Sequence, residues 1–316
     1  MLQGIALSQQ RKAMRTLADT SCQMLRYTPT PVQKIRDPVF DRAGVQVLVK
    51  REDLNHPYVS GNKWWKLKHN LVEAQRLGKK TLLTFGGAYS NHVYASAAAA
   101  SELGMESIGI IRGEETLPLN PTLNFAKSRG MHLHYVSRAM YRKKQEPGFI
   151  DHLHNRFGDF YLIPEGGTNA LAVQGVAEFA KMLNLNYQFD YLCCAVGTGG
   201  TLAGLIRGLP AEKMILGFAV LKGADFLRSE IERWAGQAHA TWQLHTAYHF
   251  GGYAKITPAL SELIKKMKEE NNLPLDHVYT GKLVAGVLDA AEAGRFRRGT
   301  SVLLLHSGGL QSPPEI

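Results

Sequence analysis

Short apolar runs alternate with longer amphipathic stretches along most of the chain. Val45–Lys50 (VQVLVK) reads as a strand, and Lys63–Leu77 as a helix with apolar positions at Trp64, Leu67, Leu71 and Ala74. Thr81–Phe85 predicts a strand, a Gly86-Gly87 turn follows, and an alanine-rich helix runs from about Asn91 to Leu103. Ser107–Arg112 and His132–Val136 read as strands, with a helix over Pro121–Arg129 between them. Further strands are predicted at Tyr191–Val196, Ile215–Val220 and Val302–His306. Helices are predicted near Leu171–Leu183, Gly200–Gly208, Pro258–Asn271 and Lys282–Ala293. Alternation of this kind indicates an α/β protein with parallel sheets.

In such sheets ligands bind at the carboxyl ends of strands, where glycine-rich turns lead into helices. Four turns qualify: Ser60-Gly61-Asn62-Lys63, Gly86 through His92, Gly197-Thr198-Gly199-Gly200-Thr201, and Ser307-Gly308-Gly309. A fifth polar turn, Tyr279-Thr280-Gly281-Lys282, precedes the last long helix. Any one of them is ordinary turn chemistry; five together imply a site.

The run from Gly197 to Thr201 follows an apolar strand and opens a helix. Its glycines let backbone N–H groups crowd a phosphate, its hydroxyls add donors, and the helix offers its positive end. A dinucleotide fingerprint would need glycine where Leu202 stands, and an acidic residue about 20 positions on, where Ala219 and Val220 lie. The Gly-Lys-Ser/Thr of a Walker loop is also missing. What remains is a cradle for a single phosphate group, or a bare strand-to-helix turn. Lys63 sits at a helix start, where the dipole disfavours a positive charge. Its functional reading is an amine of lowered pKa able to form a Schiff base, with Lys66 one turn on and within reach of a phosphate. Ser90 suits a helix cap, and the same turn suits a carboxylate.

Composition narrows the class. The 316 residues suffice for two domains, with 45% hydrophobic and 20% charged residues. No apolar run reaches the ~18 residues a membrane span needs. The formal net charge of +10 raises a nucleic-acid partner. Its densest runs, Arg142-Lys143-Lys144 and Lys265-Lys266-Met267-Lys268, read instead as solvated faces, and no nucleic-acid partner is expected. Cys193 and Cys194 are adjacent, a poor disulfide and no metal spacing, so a reducing, cytoplasmic setting is expected. Arg11, Lys12 and Arg15 with Asp19 faintly suggest a transit peptide, or a plain helical extension. His132-x-His134 and His152-x-His154 lack a third ligand at known spacing, so no metal is expected.

Taken in order, Ser60-Gly61-Asn62-Lys63-x-x-Lys66-Leu67, Gly86-Gly87-x-x-Ser90-Asn91-His92, Gly197-Thr198-Gly199-Gly200-Thr201-x-Ala203-Gly204 and Tyr279-Thr280-Gly281-Lys282 resemble the 1-aminocyclopropane-1-carboxylate (ACC) deaminase / D-cysteine desulfhydrase family. These are tryptophan-synthase-β-like, fold-type II enzymes of pyridoxal 5′-phosphate (PLP). The resemblance runs from about residue 28 to 310. It implies two open parallel-sheet α/β domains with the active site between them: a large PLP-binding domain of residues 1–65 and 175–316, and a small domain of 66–174. It also implies a homodimer and a small amino-acid substrate. By position, Lys63 resembles the Schiff-base lysine and Lys66 the lysine near the cofactor phosphate. Asn91 matches the asparagine beside the pyridine O3′, Ser90, Asn91 and His92 the substrate-carboxylate loop, and Gly197, Thr198, Gly199, Gly200 and Thr201 the phosphate loop. Tyr253 and Tyr279 resemble the two active-site tyrosines, and Lys63, Tyr279, Ser90 and Tyr253 are the expected catalytic set. Lys282 reads as a surface or salt-bridging lysine.

Thr280 carries the expectation of substrate. Ring-opening members of the family have glutamate here, beside the pyridine nitrogen, and desulfhydrase-like members threonine. A carboxylate would strengthen the electron sink more than a hydroxyl. Thr280 therefore points to β-elimination, with D-cysteine going to pyruvate, ammonia and sulfide. The alternatives are ACC deamination or a binding protein that has lost catalysis. Two departures bear on the pocket: the last turn reads His306-Ser307-Gly308-Gly309-Leu310-Gln311, and Trp64-Trp65 is bulkier than the usual pair between the lysines.

Overall fold

The computed structural model describes residues 24–238 and 240–310, so the basic N-terminal segment, Cys22 and Gln311 lie outside the described residues. The strands are β1 (Val32–Ile35), β2 (Gln46–Lys50), β3 (Thr81–Gly86), β4 (Glu106–Arg112), β5 (Met131–Val136), β6 (Tyr161–Ile163), β7 (Tyr191–Val196), β8 (Met214–Ala219), β9 (Thr241–His245) and β10 (Ser301–Leu305). The helices are α1 (Pro38–Ala43), α2 (Asn62–Arg76), α3 (Asn91–Glu102), α4 (Pro121–Ser128), α5 (Arg138–Arg142), α6 (Pro147–Phe157), α7 (Ala170–Asn186), α8 (Gly200–Gly208), α9 (Leu227–Ala235), α10 (Pro258–Asn271) and α11 (Thr280–Glu292).

Two sheets form. One has the order β1-β2-β10-β7-β8-β9, with β1 antiparallel to β2 and the other pairings parallel. The other is β5-β4-β3-β6, parallel throughout. This is the expected α/β class with two parallel-sheet bodies. The last strand inserts between β2 and β7, pairing Leu303 with Leu48 on one side and Leu192 on the other. That insertion brings Ser307-Gly308-Gly309 into the middle of the large sheet's carboxyl edge.

Local chemistry sets the helix starts. Ser90, Asn120, Asn169 and Thr257 each cap a helix by accepting from the N–H three residues on, and Pro121 and Pro258 open the helices that follow. The adjacent cysteines behave as strand neighbours must. Cys193 packs with the α11 side of the large sheet and Cys194 with the α7–α8 side, and both thiols are free.

α2, which carries Lys63, is pinned through its apolar face. Leu67 and Ala74 are fully buried, and the Trp65 ring lies 5.0 Å from Phe179 of α7 while its Nε1 donates to Glu52 at 2.7 Å. Truncating a ring such as Phe179 would cost about 3–5 kcal/mol. Trp64 and Trp65 are thus core residues bracketing Tyr27, and they do not reshape the pocket. Gly175 of α7 meets α2 so closely that a Cβ would lie 2.1 Å from the Trp65 carbonyl oxygen. The helix bearing the lysine is therefore seated backbone against backbone.

Candidate active site

The carboxyl ends of both sheets face one cavity of about 540 Å³. The large sheet contributes Ala195–Gly199 after β7 and Ser307 after β10, and the small sheet Gly87, Arg112 and the Pro164–Thr168 turn. Asn62, Lys63 and Lys66 enter from the first turns of α2, Ser90, Asn91 and His92 from the start of α3, and Thr201 from α8. Tyr253 and Tyr279 close one side.

Lys63 owes its position to Gly61. That residue has φ +69°, and a Cβ there would sit 2.0 Å from the Ser307 carbonyl oxygen, so only glycine lets α2 begin against the last turn. The Lys63 Nζ donates to Asn62 Oδ1 at 2.9 Å, and Asn62 Nδ2 donates to Thr201 Oγ1 at 2.7 Å. Burial lowers the Lys63 pKa to about 8, with the Asp276 carboxylate pulling it back up. The ammonium of Lys66, one turn on, donates to the Gly166 carbonyl and to Thr168 Oγ1 (3.0 Å), and Thr168 meets Thr198 Oγ1 at 2.7 Å. Its pKa falls well below the usual lysine range, through burial and then the charge of Lys63.

Ser90 is the cap of α3, its Oγ accepting from Val93 N at 3.3 Å, while it also lines the cavity. The cap leaves Ser90 on the cavity lining. His92 is buried, its Nε2 2.8 Å from Thr84 Oγ1, and burial plus the two lysines hold it neutral. It ties the loop to Thr84 of β3 while also lining the cavity. Gly309 brings this loop to the far turn: a Cβ there would lie 2.5 Å from Asn91 Nδ2 and 3.3 Å from Asp276 Cγ.

The tyrosines form a pair with ring centroids 6.2 Å apart and an interplanar angle of 74°. Burial, then the neighbouring phenol, drives the Tyr279 pKa well up, so it holds its proton. Tyr253 is likewise raised by burial, with its hydroxyl 3.5 Å from the Tyr89 carbonyl. Gly197 matters here: a Cβ would approach the Tyr279 ring to 3.1 Å.

Thr280 differs from expectation. It starts α11 instead of sitting in a turn, is 1% exposed, and is not among the cavity-lining residues. Its Oγ1 donates to Asp276 Oδ1 at 2.6 Å, and Asp276, itself buried, also accepts from the N–H groups of Val278, Tyr279 and Thr280, each at 2.8 Å. A carboxylate is therefore present one hydrogen bond behind position 280, and reading the substrate from threonine alone loses its force. Gly200 is also buried off the cavity, under Thr168. Lys282 is a further correction. It is fully buried and donates to the carbonyls of His249 (2.9 Å) and Gly252 (2.8 Å).

Sequence reasoning missed Asp276, Arg112, and the Glu165–Thr168 segment. The last is another glycine turn after a strand, but β6 is only three residues long and gives no periodic signal.

These residues fit PLP. The cavity holds a buried lysine of lowered pKa, a second buried ammonium beside it, and a loop at Gly197–Thr201 opening a helix. Among the described residues no cluster of His, Cys, Asp or Glu has the geometry to hold a metal, and no helix is long and apolar enough to cross a membrane.

Comparison with known proteins gives the same assignment. The family model described as "Pyridoxal-phosphate dependent enzyme" matches residues 24–308. A protein of Pyrococcus abyssi named "Putative 1-aminocyclopropane-1-carboxylate deaminase" is 32% identical over 298 residues, 89% of each chain. An Arabidopsis thaliana protein named bifunctional D-cysteine desulfhydrase/1-aminocyclopropane-1-carboxylate deaminase, mitochondrial, is 30% identical, covering 90% of this chain and 77% of that one. A crystal structure described as an ACC deaminase homologue superposes with a TM-score of 0.80 at 27% identity, covering 94% of both chains. The chain therefore belongs to the pyridoxal-phosphate dependent enzymes, as a fold-type II lyase/deaminase related to the ACC deaminase / D-cysteine desulfhydrase family.

Proposed function

We propose that this enzyme deaminates a small α-amino acid to a 2-oxo acid and ammonia, with ACC as the first substrate and D-cysteine as the second. The observation that carries the reading is Lys63: a buried amine titrating near pH 8, set between a phosphate-type loop and a carboxylate-type loop in one cavity. ACC comes first because the Pyrococcus relative and the superposed structure are both named for its deamination. D-cysteine comes second, supported by the bifunctional name of the plant relative.

Lys63 would supply the amine that holds the cofactor covalently. Lys66, Thr198, Thr201 and the N–H groups from Gly197 to Thr201 would hold its phosphate, and Asn91 its ring oxygen. Thr280, paired with Asp276 behind the cavity lining, would act on the cofactor only indirectly. Bound PLP supplies an electron sink for charge developing at the substrate α-carbon. Ser90, Asn91 and the N-terminus of α3 orient the substrate carboxylate.

The two tyrosines and the lysine divide the proton work. A phenol raised by burial keeps its proton and serves as a donor; an amine near pH 8 exists partly neutral at physiological pH and serves as the base. Tyr279 and Tyr253 thus deliver or hold a proton, and Lys63 removes one. D-cysteine offers Lys63 an α-hydrogen. ACC has none, so the base must act on the ring methylenes, and the C–C bond breaks instead of a C–S bond.

The test is an absorbance spectrum of purified protein with PLP, followed by product assays. 2-Oxobutanoate from ACC supports the first substrate. Pyruvate and sulfide from D-cysteine alone would shift the assignment to the second. A visible cofactor band with neither product would leave the cofactor and remove both substrates.

A further inference from the structure

One wall of the cavity has no part in the chemistry above. Arg112 ends β4, at the rim of the cavity. Its guanidinium comes within 3.4 Å of where a Cβ on Gly87 would lie, so it borders the same turn that carries Ser90. It stacks over the ring of Tyr141 with Cζ 5.6 Å from the centroid. Tyr141 is itself buried and fixed, donating to Glu165 Oε1 at 2.8 Å. The second cation over that ring, Lys144 at 4.9 Å, is neutralised by Glu165 Oε2 at 3.2 Å. Among the described residues Arg112 has neither a hydrogen-bond acceptor nor an ion-pair partner. Arg112 is exposed, so its guanidinium rests on the Tyr141 ring at the solvent-facing rim with its five N–H donors free of protein partners.

We propose that Arg112, stacked on Tyr141 beside the Gly86-Gly87 turn, is an anion subsite that selects amino-acid substrates whose side chain ends in a carboxylate, sulfonate or phosphate. The planar fork of arginine matches such groups bidentately. An anionic side chain would exchange water for a charge-assisted pair on this guanidinium, whereas an uncharged side chain would leave it to solvent. The proposal rests on the deaminase reading and narrows its substrate class. For a phosphate-bearing substrate the balance is simple. Lys63 takes the α-proton, the Cβ–O bond breaks with its electron pair leaving on phosphate, and water converts the resulting enamine to pyruvate and ammonia.

The experiment compares the holoenzyme with its Arg112→Gln and Arg112→Lys variants on D- and L-O-phosphoserine and on D- and L-β-chloroalanine. Pyruvate formation gives KM and kcat, and titration of the visible cofactor band gives binding independently of turnover. The expected result is a lower KM for phosphoserine than for chloroalanine in the parent. Arg112→Gln should raise the phosphoserine KM at least tenfold and the chloroalanine KM by a clearly smaller factor, with Arg112→Lys between. An equal rise for both would mean that Arg112 holds the α-carboxylate common to all substrates, and the proposal falls. It falls alone if chloroalanine is turned over and phosphoserine neither reacts nor perturbs the band. If no cofactor band forms at all, the deaminase reading falls and takes this one with it.

Discussion

On one side of the cavity, Asn62 and Lys66 from the first turns of α2 and Thr201 from the start of α8 pair with one another, with a backbone carbonyl, or with Thr168 and Thr198 of the adjoining loops. The opposite side is assembled differently. Tyr253 rides a loop in which Phe250 (φ +49°) and Ala254 (φ +56°) adopt left-handed backbone and Gly251 and Gly252 also have positive φ. That loop is tied down from behind by one buried ammonium, Lys282. Left-handed non-glycine residues cost on the order of 1–3 kcal/mol each and persist only where the surroundings impose them. The first side is thus set largely by helix starts, and the Tyr253 side by a strained loop held by Lys282 and by the Tyr253 hydroxyl on the Tyr89 carbonyl.

The largest effect should come from the cofactor side. Lys63→Ala should reduce turnover of any substrate by at least about a thousandfold, because both the covalent anchor and the base are lost. It should also abolish the visible band of lysine-bound cofactor. Retention of the band would move the anchor to another lysine. The second test uses pH. A lysine lowered to about 8 is protonated below that value and reacts only as the neutral amine. Reconstitution of the apoenzyme with PLP should therefore accelerate close to tenfold from pH 6 to pH 7, and level off above pH 8. A rate still climbing at pH 10 would mean that burial does not depress this amine.

The third test separates the two sides. Lys282→Met leaves the carbonyls of His249 and Gly252 without their donor, each costing roughly 1–3 kcal/mol if it stays unpaired. Loosening of the Tyr253 loop should lower kcat/KM about tenfold, with PLP affinity changed by less than twofold. Equal loss of cofactor affinity would show that the loop and the phosphate side behave as one unit.

The same division explains what was legible in the sequence. The strand-to-helix turns at Lys63, Ser90 and Gly197 are short-range devices, and each reads from neighbouring residues: an apolar strand, then glycines and hydroxyls, then a helix. Their convergence was legible too, since parallel strands deliver their carboxyl ends to one edge. Contacts over long separations were not. Asp276 meets Thr280 through a turn that looks like any Asx cap, and nothing in Tyr279-Thr280-Gly281-Lys282 reveals that the helix begins at Thr280. Lys282 looked exposed because lysine generally is, and its burial depends on a loop some 30 residues earlier. Arg112 likewise acquires its role only when β4 lies beside β3 and Tyr141 rises beneath it. The short strands β1, β6 and β9 carried too little periodicity to stand out.

The smallest expected effect is the most informative about substrate. Thr280→Val removes one donor from the Asp276 carboxylate, which keeps three backbone N–H groups, and also the hydroxyl that accepts from the Asp276 N–H at 2.9 Å. Losing both bonds and leaving a buried N–H unpaired should cost about 2–4 kcal/mol, which in a chain of this size lowers Tm by several degrees. If the hydroxyl touched substrate or cofactor directly, valine would also alter the ratio of ACC to D-cysteine turnover. Because Thr280 is turned to Asp276 and away from the cavity, that ratio should shift by less than threefold. A tenfold shift would place the hydroxyl in the reacting site and restore position 280 as the residue that decides between breaking a C–C and a C–S bond. A small shift would pass that decision to the wall that faces the substrate, where Arg112 and the Tyr253 loop lie.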